Sequence, residues 1–139
     1  MNFDNRYVYI ILAIIVLASV MGGGFDLLSI LFTIPGVLLA ITFHEYAHAI
    51  VAYKLGDDTP KVQGRLNLNP LTHLDPIAVV LLVFTHIGWG KPVEINPNNF
   101  DRKISARAGE AIVAAAGPIM NILLAFVIAI IFYALQVFA

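Results

Sequence analysis

Gly36 to Leu55 is a run of 20 mostly apolar residues with His44, Glu45 and His48 embedded in it. At 1.5 Å per residue it makes about 30 Å of helix, the thickness of a bilayer's hydrocarbon core. Apolar character extends back to Leu27, with Pro35-Gly36 expected to kink or interrupt the helix, and Lys54, Gly56, Asp57 and Asp58 mark its polar end. Ionisable groups within such a span are costly and usually functional. The 139 residues are 60% hydrophobic and only 12% charged, with a mean hydropathy of +0.87. Roughly a quarter of a soluble domain is charged, and a domain of this size still exposes much of its surface. The expected class is therefore an all-α membrane protein. A net charge of −1 asks for no nucleic-acid partner, and the absence of cysteine excludes disulfides and thiolate metal ligands.

The remaining segments complete the expected architecture. Tyr7 to Met21, 15 apolar or small residues after Arg6, reads as a first membrane helix, with a cleaved signal peptide as the alternative; Gly22-Gly23-Gly24 ends it. Thr59 to Asp75 is polar and rich in turn formers, with one short strand expected within Val62–Leu68. Ile77 to Trp89 has 13 residues, about 20 Å as a helix, too short to span comfortably. Gly90 to Arg107 is polar again, and Ala108 to Ala139 forms the last apolar segment, ending without a polar cap as a fragment would. Seven of the eight Lys/Arg residues lie between Lys54 and Arg107. The positive-inside rule places both polar regions on the cytoplasmic side. Ile77–Trp89 is then a re-entrant or bundle-buried helix, which is allowed at membrane depth when packed on protein. Three spans and a cytoplasmic N-terminus follow.

His44-Glu45-Tyr46-Ala47-His48 is an HExxH pentad. On a helix its histidines lie about 40° apart on one face and can hold one zinc ion, while the glutamate can work a water at the metal. Measured from Lys54, His48 is about 9 Å and His44 about 15 Å deep, within reach of water from the cytoplasmic side. Gly36, Ala40, His44, His48 and Ala52 recur every four residues, as do Gly117, Asn121, Ala125 and Ala129. Small residues at this spacing let membrane helices approach closely, and facing stripes would put Asn121 near the level of His44. Asn121 is also readable as a simple interhelical hydrogen-bonding group. The alternative for the pentad is a satisfied polar cluster in a transporter or scaffold.

Together with Asn69-Pro70-Leu71-Thr72-His73-Leu74-Asp75-Pro76, Gly88-Trp89-Gly90-Lys91-Pro92-Val93 and Ala116-Gly117-Pro118-Ile119-Met120-Asn121, the pentad resembles the site-2 protease family of intramembrane zinc metalloproteases, in its short prokaryotic branch. The resemblance covers Leu27 to about Ala129. It implies a single membrane-embedded metalloprotease core over residues 1–139, in a prokaryotic cell membrane, hydrolysing peptide bonds of transmembrane substrates. It further implies His44 and His48 as zinc ligands, Glu45 as the catalytic acid/base, and Gly117 and Asn121 near the substrate path. The family's third ligand is an aspartate in a Leu-Asp-Gly motif on a further C-terminal helix, and no Leu-Asp-Gly occurs here. The expectation is that this helix is missing; Asp75, the substitute, reads better as a turn or cap residue before Pro76. His73 and His86 read as structural or interfacial rather than as ligands. The functional alternative is a non-catalytic polytopic membrane protein, a pseudoprotease or transporter-like scaffold, with a soluble zinc protease a distant third. An extended substrate is expected to pair with Val62–Leu68 or with Val93–Ile95.

Overall fold

The computed structural model describes residues 5–22, 27–85 and 88–138; Gly23, Gly24 and His86 lie outside them. The described residues are mostly helical. α1 is Asn5–Met21, α2 Leu27–Lys54, α3 Thr59–Val62, α4 Pro70–His73, α5 Pro76–Thr85 and α6 Ala106–Phe138, with a single 3₁₀ turn at Pro97–Asn99. α2 and α6 are each long and apolar enough to cross a membrane. α1, expected as a third span, has 17 residues. α2 packs on α6, and α1 packs on α5. Much of α6 beyond Asn121 is bare: Ile122, Phe126 and Phe132 are all more than half exposed, as suits a surface that meets lipid rather than water.

The short elements share one local grammar. Asn69, Asp75 and Asn96 each precede a proline, and each side chain accepts a backbone N–H just beyond it. Asn69 Oδ1 takes Leu71 N at 3.1 Å, Asp75 Oδ1 takes Ile77 N at 2.8 Å and Ala78 N at 3.2 Å, and Asn96 Oδ1 takes Asn98 N at 3.2 Å. An Asx cap followed by a proline satisfies orphan donors and presets φ for the first helical residue. Ser105 starts α6 in the same manner, accepting from Ala108 N at 3.3 Å.

One expectation is corrected. The β-strands in the loops do not form: among the described residues there is no strand, only an isolated antiparallel bridge between Leu74 and Gly90. Val62 instead ends α3, Gly64 turns at φ +66°, and Arg65 N donates back to Pro60 O at 2.8 Å. Proline, glycine and Asx chemistry spends these backbone donors locally, so no ladder is left to build. Pro35, expected to kink or interrupt the second segment, does not interrupt it: α2 continues through it to Lys54.

The polar end of the bundle is tied together at Asp57, which is fully buried. Its carboxylate accepts Thr59 N at 3.1 Å, Thr59 Oγ1 at 2.5 Å, Asn96 N at 2.7 Å and Asn99 Nδ2 at 2.9 Å. Gly56 makes this possible with φ +103°, at a place where a Cβ would lie 3.0 Å from Asn99 O. Beside this clamp, Ala52, Phe100 and Val113 form the apolar core, with Gly109 seated directly on the Phe100 ring.

Candidate active site in the seam between α2 and α6

The two small-residue stripes meet where His44 and His48 face Gly117 and Asn121, while Gly36, Ala125 and Ala129 are exposed. A Cβ added to Gly117 would lie 2.4 Å from His48 Nε2 and 2.6 Å from His44 Nε2. Both imidazoles thus turn their Nε2 edges toward one point of α6, a point that only glycine leaves open. The ring centroids are 4.7 Å apart and the rings nearly perpendicular.

Each ring is held from behind by α6. His48 Nδ1 lies 2.7 Å from Val113 O. A carbonyl only accepts, so Nδ1 carries the proton and Nε2 keeps its lone pair, the arrangement a metal-binding imidazole needs. His44 Nδ1 lies 3.1 Å from the Asn121 side-chain amide, with Nδ2 as the nearer atom. Asn121 Oδ1 is buried without a partner. Turning the amide over would pair that oxygen with a protonated Nδ1; in the other tautomer Nδ1 accepts from Asn121 and the ring donates to the Gly117 backbone.

Glu45 is buried, at 8% exposure, with its carboxylate against Gly90: a Cβ there would lie 2.6 Å from Glu45 Oε1. Gly90 is positioned by its bridge to Leu74 and by Lys91 N donating to His73 O at 2.7 Å. Glu45 borders two cavities. One, of about 400 Å³, runs along Ile41, His44, Trp89 and Asn121. The other, of about 390 Å³, runs along His48, Val93, Ile95 and Glu110.

The structure therefore brings together His44, Glu45, His48, Gly117 and Asn121. It does not bring in Asp75, whose carboxylate caps α5, or His73, which is fully buried with Nε2 on Asn67 O at 2.7 Å. Three participants were not singled out from sequence. Val113 acts through its carbonyl, which no side-chain pattern reveals, although it falls four residues before Gly117 on the same stripe. Gly90 sat within a noted motif without a role. Glu110 is the only acid in the last apolar segment, two helical turns from Gly117.

The donor set fits zinc in part. Two imidazoles whose Nε2 atoms lie side by side against Gly117 suit two of its positions when both nitrogens are unprotonated. Among the described residues no group of three His, Cys, Asp or Glu side chains surrounds such a spot.

Comparison with known proteins adds an independent finding. Over 91 residues, 66% of its length, the chain is 45% identical to the Putative zinc metalloprotease YwhC of Bacillus subtilis (strain 168). Over 98 residues it is 33% identical to the Putative zinc metalloprotease Rip2 of Mycolicibacterium smegmatis. These matches span 40% and 36% of the two relatives, so the chain corresponds to roughly two fifths of their length. No family model matches, and no solved structure matches.

Proposed function

The chain belongs to the site-2 protease family, and on that premise we propose that it carries the pentad-bearing part of an intramembrane zinc endopeptidase acting on transmembrane polypeptides. The observation that supports this most is the convergence of His44 and His48 on Gly117, with the His48 tautomer fixed by Val113. His44 and His48 would hold the ion, and the third ligand would come from outside these 139 residues. When bound, zinc supplies Lewis-acid polarisation of the scissile carbonyl and lowers the pKa of water at the site.

The chain's own residues do the rest. Glu45 takes a proton from the attacking water and delivers it to the leaving amine. Its burial against Gly90 keeps the carboxylate in one place through both transfers. Asn121 and the Val113 carbonyl hold the imidazoles in register. The substrate must be unwound, because a helical peptide bond is shielded by its own backbone. Val93 and Ile95 border the cavity that Glu45 and His48 share, so residues 93–95 are the edge on which an extended substrate would lie. The other expected edge, Val62–Leu68, is spent on α3 and its turn. In this reading α1, α2 and α6 cross the membrane, with the Lys/Arg-rich loops and the N-terminus in the cytoplasm.

The test is metal analysis and proteolysis with the full-length protein in detergent. The expected result is about one zinc per chain, lost in His44→Ala and His48→Ala and retained in Glu45→Gln, which no longer cleaves. A Glu45→Gln protein that still cleaves would overturn the mechanism. The competing reading, a non-catalytic pseudoprotease or scaffold, draws on the two-ligand count and predicts substoichiometric zinc in the full-length protein.

A further inference from the structure

Outside the pentad site, one cation is buried. Arg65 is only 6% exposed, and its guanidinium donates to the Thr72 carbonyl. Among the described residues its guanidinium thus meets a neutral carbonyl rather than a carboxylate. An arginine keeps its charge at any physiological pH and offers five donors, so one backbone carbonyl leaves most of its capacity unused. Arg65 lines an open cavity of about 490 Å³ together with a second cation, Lys91, and an acid, Glu94. Glu94 is fixed through one oxygen, Oε2, by Gln63 Nε2 at 2.7 Å. The other oxygen remains available. The cavity thus presents two cations and one carboxylate, and Thr72 adds little to it because its hydroxyl is engaged with Asn67 and Asn69.

The cavity's place in the fold narrows its ligand. Its lining residues follow the polar end of α2 at Lys54, where headgroups would lie around the bundle. Leu71 on its rim is 78% exposed, and Val62 and Leu68 nearby are also bare. Exposed leucine and valine beside buried charge suit the boundary between acyl chains and headgroups. Phosphate matches the planar, fork-like donors of Arg65, reinforced by Lys91. A ligand that is only anionic would leave Glu94 repelled.

We infer that this cavity binds a zwitterionic phospholipid headgroup of the ethanolamine type, its phosphate on Arg65 and Lys91 and its ammonium on Glu94. The inference goes beyond the protease reading and rests only on the bundle being membrane-embedded. Lys91 follows Gly90, which touches Glu45, so an occupied cavity would also brace the segment against the pentad.

The test is native mass spectrometry of the full-length protein released from detergent with equal amounts of phosphatidylethanolamine, phosphatidylglycerol and phosphatidylcholine. Phosphatidylethanolamine should be retained several-fold over the other two. Lys91→Gln should reduce that retention about fivefold or more, and Glu94→Gln should shift preference toward phosphatidylglycerol. Both side chains are exposed, so neither variant depends on tolerating a hole at Arg65. Lys61→Gln, outside the cavity beside Tyr53, should behave as wild type. Equal retention of the three lipids, or a Glu94→Gln protein with unchanged preference, would overturn the inference. So would full displacement of the lipid by millimolar inorganic phosphate, which would make this a site for the free ion. An acidic peptide that binds in a Lys91-dependent way while all three lipids fail to would likewise overturn it. Zinc content and cleavage are read separately, so failure here leaves the protease reading standing.

Discussion

His48 donates its Nδ1–H to the carbonyl oxygen of Val113 at 2.7 Å, across the seam between α2 and α6. The bond does two things at once. It satisfies a polar ring within an apolar helix pair, and it leaves Nε2 an acceptor rather than a donor. A backbone carbonyl performs this, so no substitution of Val113 removes it directly.

The partner of the other ring is a side chain and is open to test. Asn121→Leu should leave His44 free to rotate and to adopt the wrong tautomer. The expected loss is about 10–100-fold in zinc affinity, the usual effect of removing such a support. Competition with a chelator on the full-length protein measures it. Asn121→Asp should retain more affinity than Asn121→Leu, since a carboxylate also accepts from Nδ1–H.

Gly117→Ala separates packing from propensity. In an isolated helix, alanine is favoured over glycine by about 1 kcal/mol. Here the added methyl would meet His48 Nε2 at 2.4 Å and His44 Nε2 at 2.6 Å. The variant should lower the melting temperature in detergent and lose zinc together. A variant that is more stable and still binds zinc would contradict the close seam.

Gly90→Ala should act on catalysis alone. Its methyl would lie 2.6 Å from Glu45 Oε1 and 3.0 Å from both Glu45 Cγ and Ile41 Cγ2. The carboxylate has to move, by something near an ångström. Displacement on that scale costs about 10²-fold in rate. Zinc content should stay at the wild-type level while cleavage drops, as measured by metal analysis beside a peptide-bond cleavage assay.

Asp57 gives a pH-dependent prediction. Burial acts to raise its pKa, but hydrogen bonds from Thr59, Asn96 and Asn99 outweigh it and hold the carboxyl below its ordinary value. A group whose pKa is lower when folded contributes stability above its unfolded pKa, about 4, and that stability is lost as pH falls through the folded value. Asp57→Asn should therefore destabilise the protein at pH 7 by about 1–3 kcal/mol, because it turns an amide toward the Asn96 N–H donor. The gap between wild type and variant should close below about pH 4 in thermal unfolding.

Much of the architecture can be read from residue order alone, and the reasons differ by element. α2 and α6 follow from unbroken apolar length, and the seam follows from small residues every fourth position. These are local signals with one physical meaning each. The strand expected in Val62–Leu68 fails because alternating apolar residues compete there with Pro60, Gly64 and Asn67, and the turn formers win. At the site, His44, Glu45 and His48 are legible because a five-residue spacing states their geometry. The Val113 carbonyl and the touch of Gly90 on Glu45 are not, because both arise between segments dozens of residues apart. Pro35 is a local breaker that does not end its helix: α2 runs on past it.

Glu45 borders two hollows rather than one, with Trp89 and Asn121 in the first and Val93 and Glu110 in the second. A buried carboxylate with a single opening would have to clear one guest before admitting the next. With openings on both flanks, a bulky chain can occupy one side while a small polar molecule reaches the same oxygen atoms from the other. The two hollows are nearly equal, about 400 and 390 Å³, so filling one does not by itself close the carboxylate off from the other.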